Sequence, residues 1–66
     1  MNNPHLALQV RDGLRWRKGR NFPLEYDLKL LEKMCELWHK QDARHRHVRV
    51  LLMPANFLIV STDERR

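Results

Sequence analysis

The sequence lacks several features that stabilise small proteins or direct them to membranes. Cys35 is the only cysteine, which excludes an intramolecular disulfide framework. No apolar run approaches the roughly 18 residues that span a bilayer, so we expect no transmembrane helix. Residues Met1 to His5 lack the basic start and apolar stretch of a signal peptide. A cytoplasmic location is therefore expected.

Catalytic and metal-binding motifs are also missing. His45 and His47 could serve as catalytic bases and Arg49 as a phosphate clamp, as such residues do in small metal-independent ribonucleases. However, no acidic residue is well placed as a partner for the histidines. Cys35 and His39, together with these two histidines, could supply metal ligands, although their spacing matches no standard zinc motif. We expect no enzymatic activity and no cofactor. Whether these four side chains bind a metal stays open at the level of sequence.

The chain does contain a large basic excess. Thirteen lysine and arginine residues stand against eight aspartate and glutamate residues, which gives a formal net charge of +5 and a pI near 10.2. With 42% apolar residues, the chain is also hydrophobic enough to fold. A protein with this charge attracts polyanions, most often nucleic acid.

The basic residues fall into two clusters separated by a nearly neutral segment. Residues 11–20 hold five basic side chains against Asp12 alone, and residues 44–49 hold three arginines and two histidines without an acid. Most of these side chains are arginines, whose planar fork matches phosphate bidentately. The candidate phosphate contacts are Arg11, Arg15, Arg17, Lys18, Arg20, Arg44, Arg46 and Arg49.

An amphipathic helix is predicted from Leu24 to Gln41. At 100° per residue, its apolar side chains occupy about half of the circumference and its charged side chains the rest. Pro23 suits the entry to the first turn, and Glu25 and Asp27 suit the positive end of the helix dipole. The apolar half is wider than contact with one sheet requires, so we expect part of it to face a second copy of the chain.

Two strands are predicted in the last third of the chain, at His47–Met53 and Phe57–Ser61. The sequence Pro54-Ala55-Asn56 between them suits a type I turn followed by a left-handed asparagine. This three-residue loop sets the last residue of the first strand opposite the first residue of the second. The same register pairs Leu51 with Ile59.

The first twenty residues allow two interpretations. A hairpin with its loop at Arg11-Asp12-Gly13 has all its apolar side chains on one face. Those residues are Leu6, Leu8, Val10, Leu14 and Trp16. A helix is the alternative, because Asn3-Pro4 suits its first two positions and apolar residues recur four apart. Gly13 inside that helix would cost about 1 kcal/mol, so the hairpin is preferred.

Together these elements predict an α+β fold, a small single domain over residues 1–66 in which antiparallel β-hairpins flank one amphipathic helix in the order ββαββ. Strand alternation then divides the sheet into a helix-covered face and an open face. The helix-covered face is expected to hold the apolar residues of the first hairpin with Val48, Val50, Leu52, Leu58 and Val60. The open face is expected to hold Arg11, Arg15, Arg17, His47, Arg49, Leu51, Met53, Phe57 and Ile59.

Two functions are compatible with these surfaces. The first is a small nucleic-acid-binding regulator, dimeric and cytoplasmic, that contacts phosphates through its two arginine-rich clusters. The alternative is an inhibitor or adaptor of the kind carried by phages and mobile elements, which binds the acidic surface of a larger host protein through an apolar sheet or helix face. The candidate partner or dimer interface comprises Leu30, Met34, Leu37, Leu51, Met53, Phe57 and Ile59.

Overall fold

The computed structural model describes residues 3–63, which form four strands and one helix. The elements are β1 (His5–Asp12), β2 (Arg15–Phe22), α1 (Leu28–Gln41), β3 (Val48–Met53) and β4 (Phe57–Ser61). All neighbouring strands are antiparallel, in the order β2-β1-β3-β4. The predicted α+β fold with ββαββ order is confirmed.

The N-terminal segment is a hairpin, and the alternative helical interpretation is wrong. Its loop has two residues and begins at Gly13, because Asp12 pairs directly with Arg15. Gly13 has φ +66°, which suits the first loop position of a type II′ turn. The predicted three-residue loop is therefore wrong, and Arg11 pairs with Trp16.

Compared with the predicted register, the observed register places several side chains on the opposite face of the sheet. Trp16 lies on the open face beside Arg11, and Leu14 is 91% exposed at the turn, although both were expected in the core. Arg17 pairs with Val10, which packs against the core, so Arg17 lies on the helix side. Arg15, two residues earlier, lies on that side too. The expected open-face positions of Arg15 and Arg17 are wrong.

A bulge at Gly19 breaks the alternation of β2. Regular pairs of the ladder flank this residue, and Gly19 itself is the extra one. A Cβ atom at Gly19 would lie 2.8 Å from Cδ2 of Leu8 and 3.3 Å from the ring of Trp38. The bulge allows β2 to extend to Phe22, a buried residue that the sequence analysis did not assign to the core.

Helix α1 begins at Leu28 and not at Leu24. Asp27 is its N-cap, and the carboxylate accepts a hydrogen bond from the main-chain N–H three residues later at 2.9 Å. Pro23 takes part in a turn before the helix, where its carbonyl accepts a hydrogen bond from the N–H of Tyr26 at 3.4 Å. The side-chain cap at Asp27, and not the proline, therefore determines where the helix starts.

The β3–β4 turn has Asn56 at φ 59°, the left-handed conformation predicted for it. The predicted register is nevertheless wrong by one residue. Leu52, and not Met53, pairs with Phe57. The connection between the paired residues is consequently longer than three residues.

The side chains of β4 change faces accordingly. Leu58 pairs with Leu51 on the open face and is 53% exposed, although it was expected beneath the helix. Ile59 is the extra residue of a second bulge and packs against the core, although it was expected on the open face. Phe57 pairs with Leu52, whose side chain contacts the core, so the open-face position expected for Phe57 is also wrong.

The hydrophobic core lies between α1 and one face of the sheet. Its buried members are Leu6, Leu8, Phe22, Leu31, Cys35, Val48 and Val50. Ala7 and Leu51 form a cross-strand pair that is buried on the opposite face. Within residues 3–63, no helix is long and apolar enough to cross a membrane.

Candidate nucleic-acid interface

The two basic clusters of the sequence meet at one end of the sheet. Since β1 runs antiparallel to both β2 and β3, its last residues lie beside the first residues of both neighbours. A guanidinium nitrogen of Arg46 approaches a carboxylate oxygen of Asp12 at 3.9 Å, which joins the second cluster to the first. We call this region the convergent surface. It comprises Arg11, Arg15, Trp16, Arg17, Lys18, Arg46 and Arg49.

Carboxylates orient the arginines on the helix side of this surface. Asp12 pairs with Arg17 at 3.0 Å, and Asp42 pairs with Arg46 at 2.7 Å. The N–H of Arg44 donates to Asp42 at 2.8 Å, and this bond, reinforced by Arg46, lowers the pKa of the Asp42 carboxyl. Ion pairs at the surface contribute little stability, but they restrict the directions in which Arg17 and Arg46 point.

On the open face, two guanidinium groups lie close to one indole ring. Cζ of Arg49 lies 4.0 Å from the ring centroid of Trp16, and Cζ of Arg11 lies 5.8 Å from it. Nε of Arg49 also donates to the side-chain carbonyl of Gln9 at 2.9 Å. Both cations are within the distance at which an aromatic face attracts positive charge. Trp16 and Gln9, neither of which was among the predicted site residues, therefore hold Arg49 in place.

Arg49 carries a charge that no carboxylate in the described part of the chain neutralises. Partial burial and the nearby charge of Arg11 lower its pKa from the usual value. Arg11 itself reaches Asp63 at 3.9 Å. Within residues 3–63, Arg49 and Arg15 are the arginines of this surface without a carboxylate partner, so both would gain electrostatically from an external anion.

The remaining phosphate-contact candidates lie around this centre. Lys18 is exposed on the open face, where it pairs with Gln9. Arg20 lies on the helix side, with its guanidinium 5.3 Å from the ring of Phe22. Arg44 is exposed in the turn after α1, where its main-chain N–H bonds to Asp42. The geometry groups Lys18 with the convergent surface and leaves Arg20 and Arg44 at its margins.

His39, His45 and His47 form a separate cluster where α1 ends. The rings of His39 and His47 stack with centroids 5.9 Å apart, and the ring of His45 lies 5.9 Å from that of His39. His47 was expected on the open face, but its ring contacts the helix. Nδ1 of His39 lies 2.9 Å from the carbonyl oxygen of Arg46.

Cys35 belongs to the hydrophobic core. It is 1% exposed, and burial, reinforced by the charge of Glu32, raises the pKa of its thiol to about 11. A thiol with this pKa is protonated at neutral pH. Among residues 3–63, no group of three or more histidine, cysteine or acidic side chains has the geometry to hold a metal ion.

The candidate interface residues are divided among different environments. Leu30 and Leu37 are exposed on α1, by 42% and 51%, and Phe57 is 62% exposed. Met34 packs against the core, as does Ile59, and Met53 is half-buried. Leu51 is 4% exposed. An exposed apolar surface is therefore present on the helix and at β4, but not as one continuous patch on the sheet.

One sequence signal could have located Trp16 correctly. A glycine within a strand often marks a bulge, and Gly19 stands in the middle of an otherwise basic segment. A strand continued through that bulge would have brought Phe22 into the core and turned Trp16 outward. The contacts of Arg46 with Asp12 and of Arg49 with Gln9 join distant parts of the chain and leave no local signal.

No protein-family model matches this sequence, and no curated protein or solved structure is significantly similar to it.

Proposed function

We propose that this protein is a small regulator that binds nucleic acid through the convergent surface, and that it acts in the cytoplasm. The observation that carries the proposal is the meeting of two basic clusters, far apart in sequence, at one end of the sheet. Six cationic side chains gather there against the carboxylates of Asp12, Asp42 and Asp63, so the surface keeps a positive charge.

The chemistry of this surface suits phosphate better than a neutral ligand. Guanidinium groups donate paired hydrogen bonds to phosphate oxygens. Three of these guanidinium groups, those of Arg17, Arg46 and Arg49, are already oriented by neighbouring side chains. Each phosphate that they neutralise releases counterions, so the affinity should fall steeply with salt concentration.

The test is a titration of labelled DNA and RNA, single- and double-stranded, by fluorescence anisotropy at about 50 and about 200 mM salt. Arg15→Ala and Arg49→Ala should each weaken binding and lower the salt slope by about one. Lys33→Ala is the matched control, because it removes one positive charge from the exposed helix face. It should leave binding nearly unchanged. Absence of binding at the lower salt concentration would contradict the proposal.

Homodimerisation through β4 is part of the same proposal. This edge strand carries no charged side chain, and its open edge leaves main-chain N–H and C=O groups available for pairing. The opposite edge, β2, carries four basic residues and would repel another copy of a basic chain. Leu58→Lys should yield a monomer in light scattering after gel filtration. A wild-type chain that is monomeric at every concentration tested would contradict a dimer.

A second candidate is the adaptor that binds an acidic protein surface. It is favoured by Leu30 and Leu37, two apolar side chains of α1 that are 42% and 51% exposed. Under this function, Leu37→Ser would abolish capture of the partner, whereas Arg49→Ala would mainly slow its association.

A further inference from the structure

The open face of the sheet contains two planar groups in contact, the indole of Trp16 and the guanidinium of Arg49, which we call the Trp16–Arg49 pair. Cζ of Arg49 lies over the ring at 4.0 Å from its centroid, well within the cation–π range. The two side chains come from β2 and β3, with β1 between them. The helix packs on the other face of the sheet, so no element of residues 3–63 covers this pair.

Arg49 is held in this position and still has unused hydrogen-bond donors on its guanidinium group. Its side chain is half-buried, and the hydrogen bond from Nε to Gln9 restrains its rotation. A guanidinium group has five N–H donors, of which Gln9 takes one. The others are available for a phosphate oxygen or for the edge of a base, and the face of the group turned away from Trp16 is available for stacking.

The shape of the open face favours a single strand over a duplex. The major groove of B-DNA is about 12 Å wide and admits a helix or a two-stranded ribbon. Four strands spaced about 4.8 Å apart already span roughly 14 Å between their axes, before side chains are added. A duplex could touch this face only with its phosphates, and its bases could not reach the Trp16–Arg49 pair.

We infer that the open face prefers single-stranded nucleic acid to duplex, and that one unstacked base packs on the Trp16–Arg49 pair. This inference depends on the proposed nucleic-acid binding. Single strands expose the flat faces of their bases, and proteins that bind them combine basic tracks with aromatic or guanidinium planes. Here Arg11 and Lys18 lie on the same face and would contact the phosphates on either side of that base.

The test compares a labelled oligonucleotide with its duplex at one salt concentration, using the full chain and two variants. Arg49→Lys keeps the charge but removes the planar group, so it should lower the single-strand affinity at least about fivefold, the lower end of what one base stack contributes. Its duplex affinity should change less than twofold. Arg15→Lys makes the same exchange on the helix side, and it should change both affinities by the same factor.

A second measurement keeps Arg49 intact. In a Trp38→Phe background the only indole is that of Trp16, so its fluorescence should be quenched by the single strand and not by the duplex. Failure to bind any nucleic acid would refute the proposed function itself. Equal affinity for single strand and duplex, or unchanged Trp16 emission with bound single strand, would refute the inference and leave phosphate binding standing.

Discussion

The bulge at Gly19 gives a sharp test of the packing between β2, β1 and the helix. In Gly19→Ala, the new Cβ atom would lie 2.8 Å from Cδ2 of Leu8, 3.1 Å from the carbonyl oxygen of Leu8 and 3.3 Å from the ring of Trp38. Leu8 is fully buried, so its side chain has little space into which it can move. The substitution should therefore destabilise the fold.

The expected loss follows from two opposing effects. Overpacking of a filled core typically costs 1–3 kcal/mol, taken as a rough range. Replacing glycine by alanine also restricts the unfolded chain, which contributes about 0.4–1 kcal/mol in the other direction. The net change should be a loss of about 1–2 kcal/mol in the free energy of unfolding. For a domain of this size, that corresponds to a fall in Tm of roughly 4–16 °C.

Urea and thermal unfolding, followed by far-UV circular dichroism, measure this change. Gly13 supplies the matched control, because a Cβ there meets no atom within 4 Å but the residue has φ +66°. Gly13→Ala should destabilise through backbone strain alone, because a residue with a Cβ rarely adopts this positive φ. At Gly19 the loss should come from packing instead. A Gly19→Ala variant as stable as the wild type would refute this account of the bulge.

Four further predictions concern stability and reactivity. Asp27→Ala removes the N-cap of α1 and should lower the free energy of unfolding by about 1 kcal/mol in urea denaturation. Leu14→Ser should change the free energy of unfolding by less than about 0.5 kcal/mol, because Leu14 is exposed at a turn. A larger loss would indicate that Leu14 packs in the core. Cys35 should resist alkylation at pH 8 until the protein unfolds, since its thiol is buried with a pKa of about 11 and few molecules are thiolates at that pH. The pKa of Asp42 is lowered in the folded state, so the stability that this carboxylate contributes is present above the unfolded pKa of about 3.9 and is lost as the pH falls through the folded pKa. Asp42→Asn should therefore flatten the acid side of the curve of unfolding free energy against pH. An unchanged curve would contradict this role of Asp42.

The order of elements and the helix could be predicted from the sequence because they depend on local patterns. The spacing of apolar residues predicted an amphipathic helix, and the buried residues of α1 are Leu31 and Cys35. The predicted start of the helix was wrong because the prediction placed Pro23 at the entry to the first turn and assigned Asp27 to the helix dipole and not to the N-cap. A side-chain cap satisfies main-chain N–H groups directly, and the helix begins after Asp27.

Strand register could not be predicted as well, because a change of one residue in a loop moves a whole strand's side chains to the other face. The glycine at the first hairpin suits both a three-residue and a two-residue loop. The choice decided whether Trp16 lay in the core or on the open face. In the structure, Trp16 contacts Arg11 and Arg49, which come from two other strands. This part of the candidate site therefore depends on strand register, which local sequence determines least.

The basic edge strand β2 also has a consequence for solubility. An edge strand of eight residues exposes main-chain groups to which other chains can add, and charged side chains are a common protection against such addition. The arginines and the lysine of β2 would then keep the free protein dispersed as well as contact a ligand. A bound polyanion neutralises the same charges, so complexes near charge balance should aggregate more readily than either component alone. Alanine substitutions in β2 should raise the aggregation rate even when the fold is intact, and an excess of nucleic acid should redissolve the precipitate of the wild-type protein.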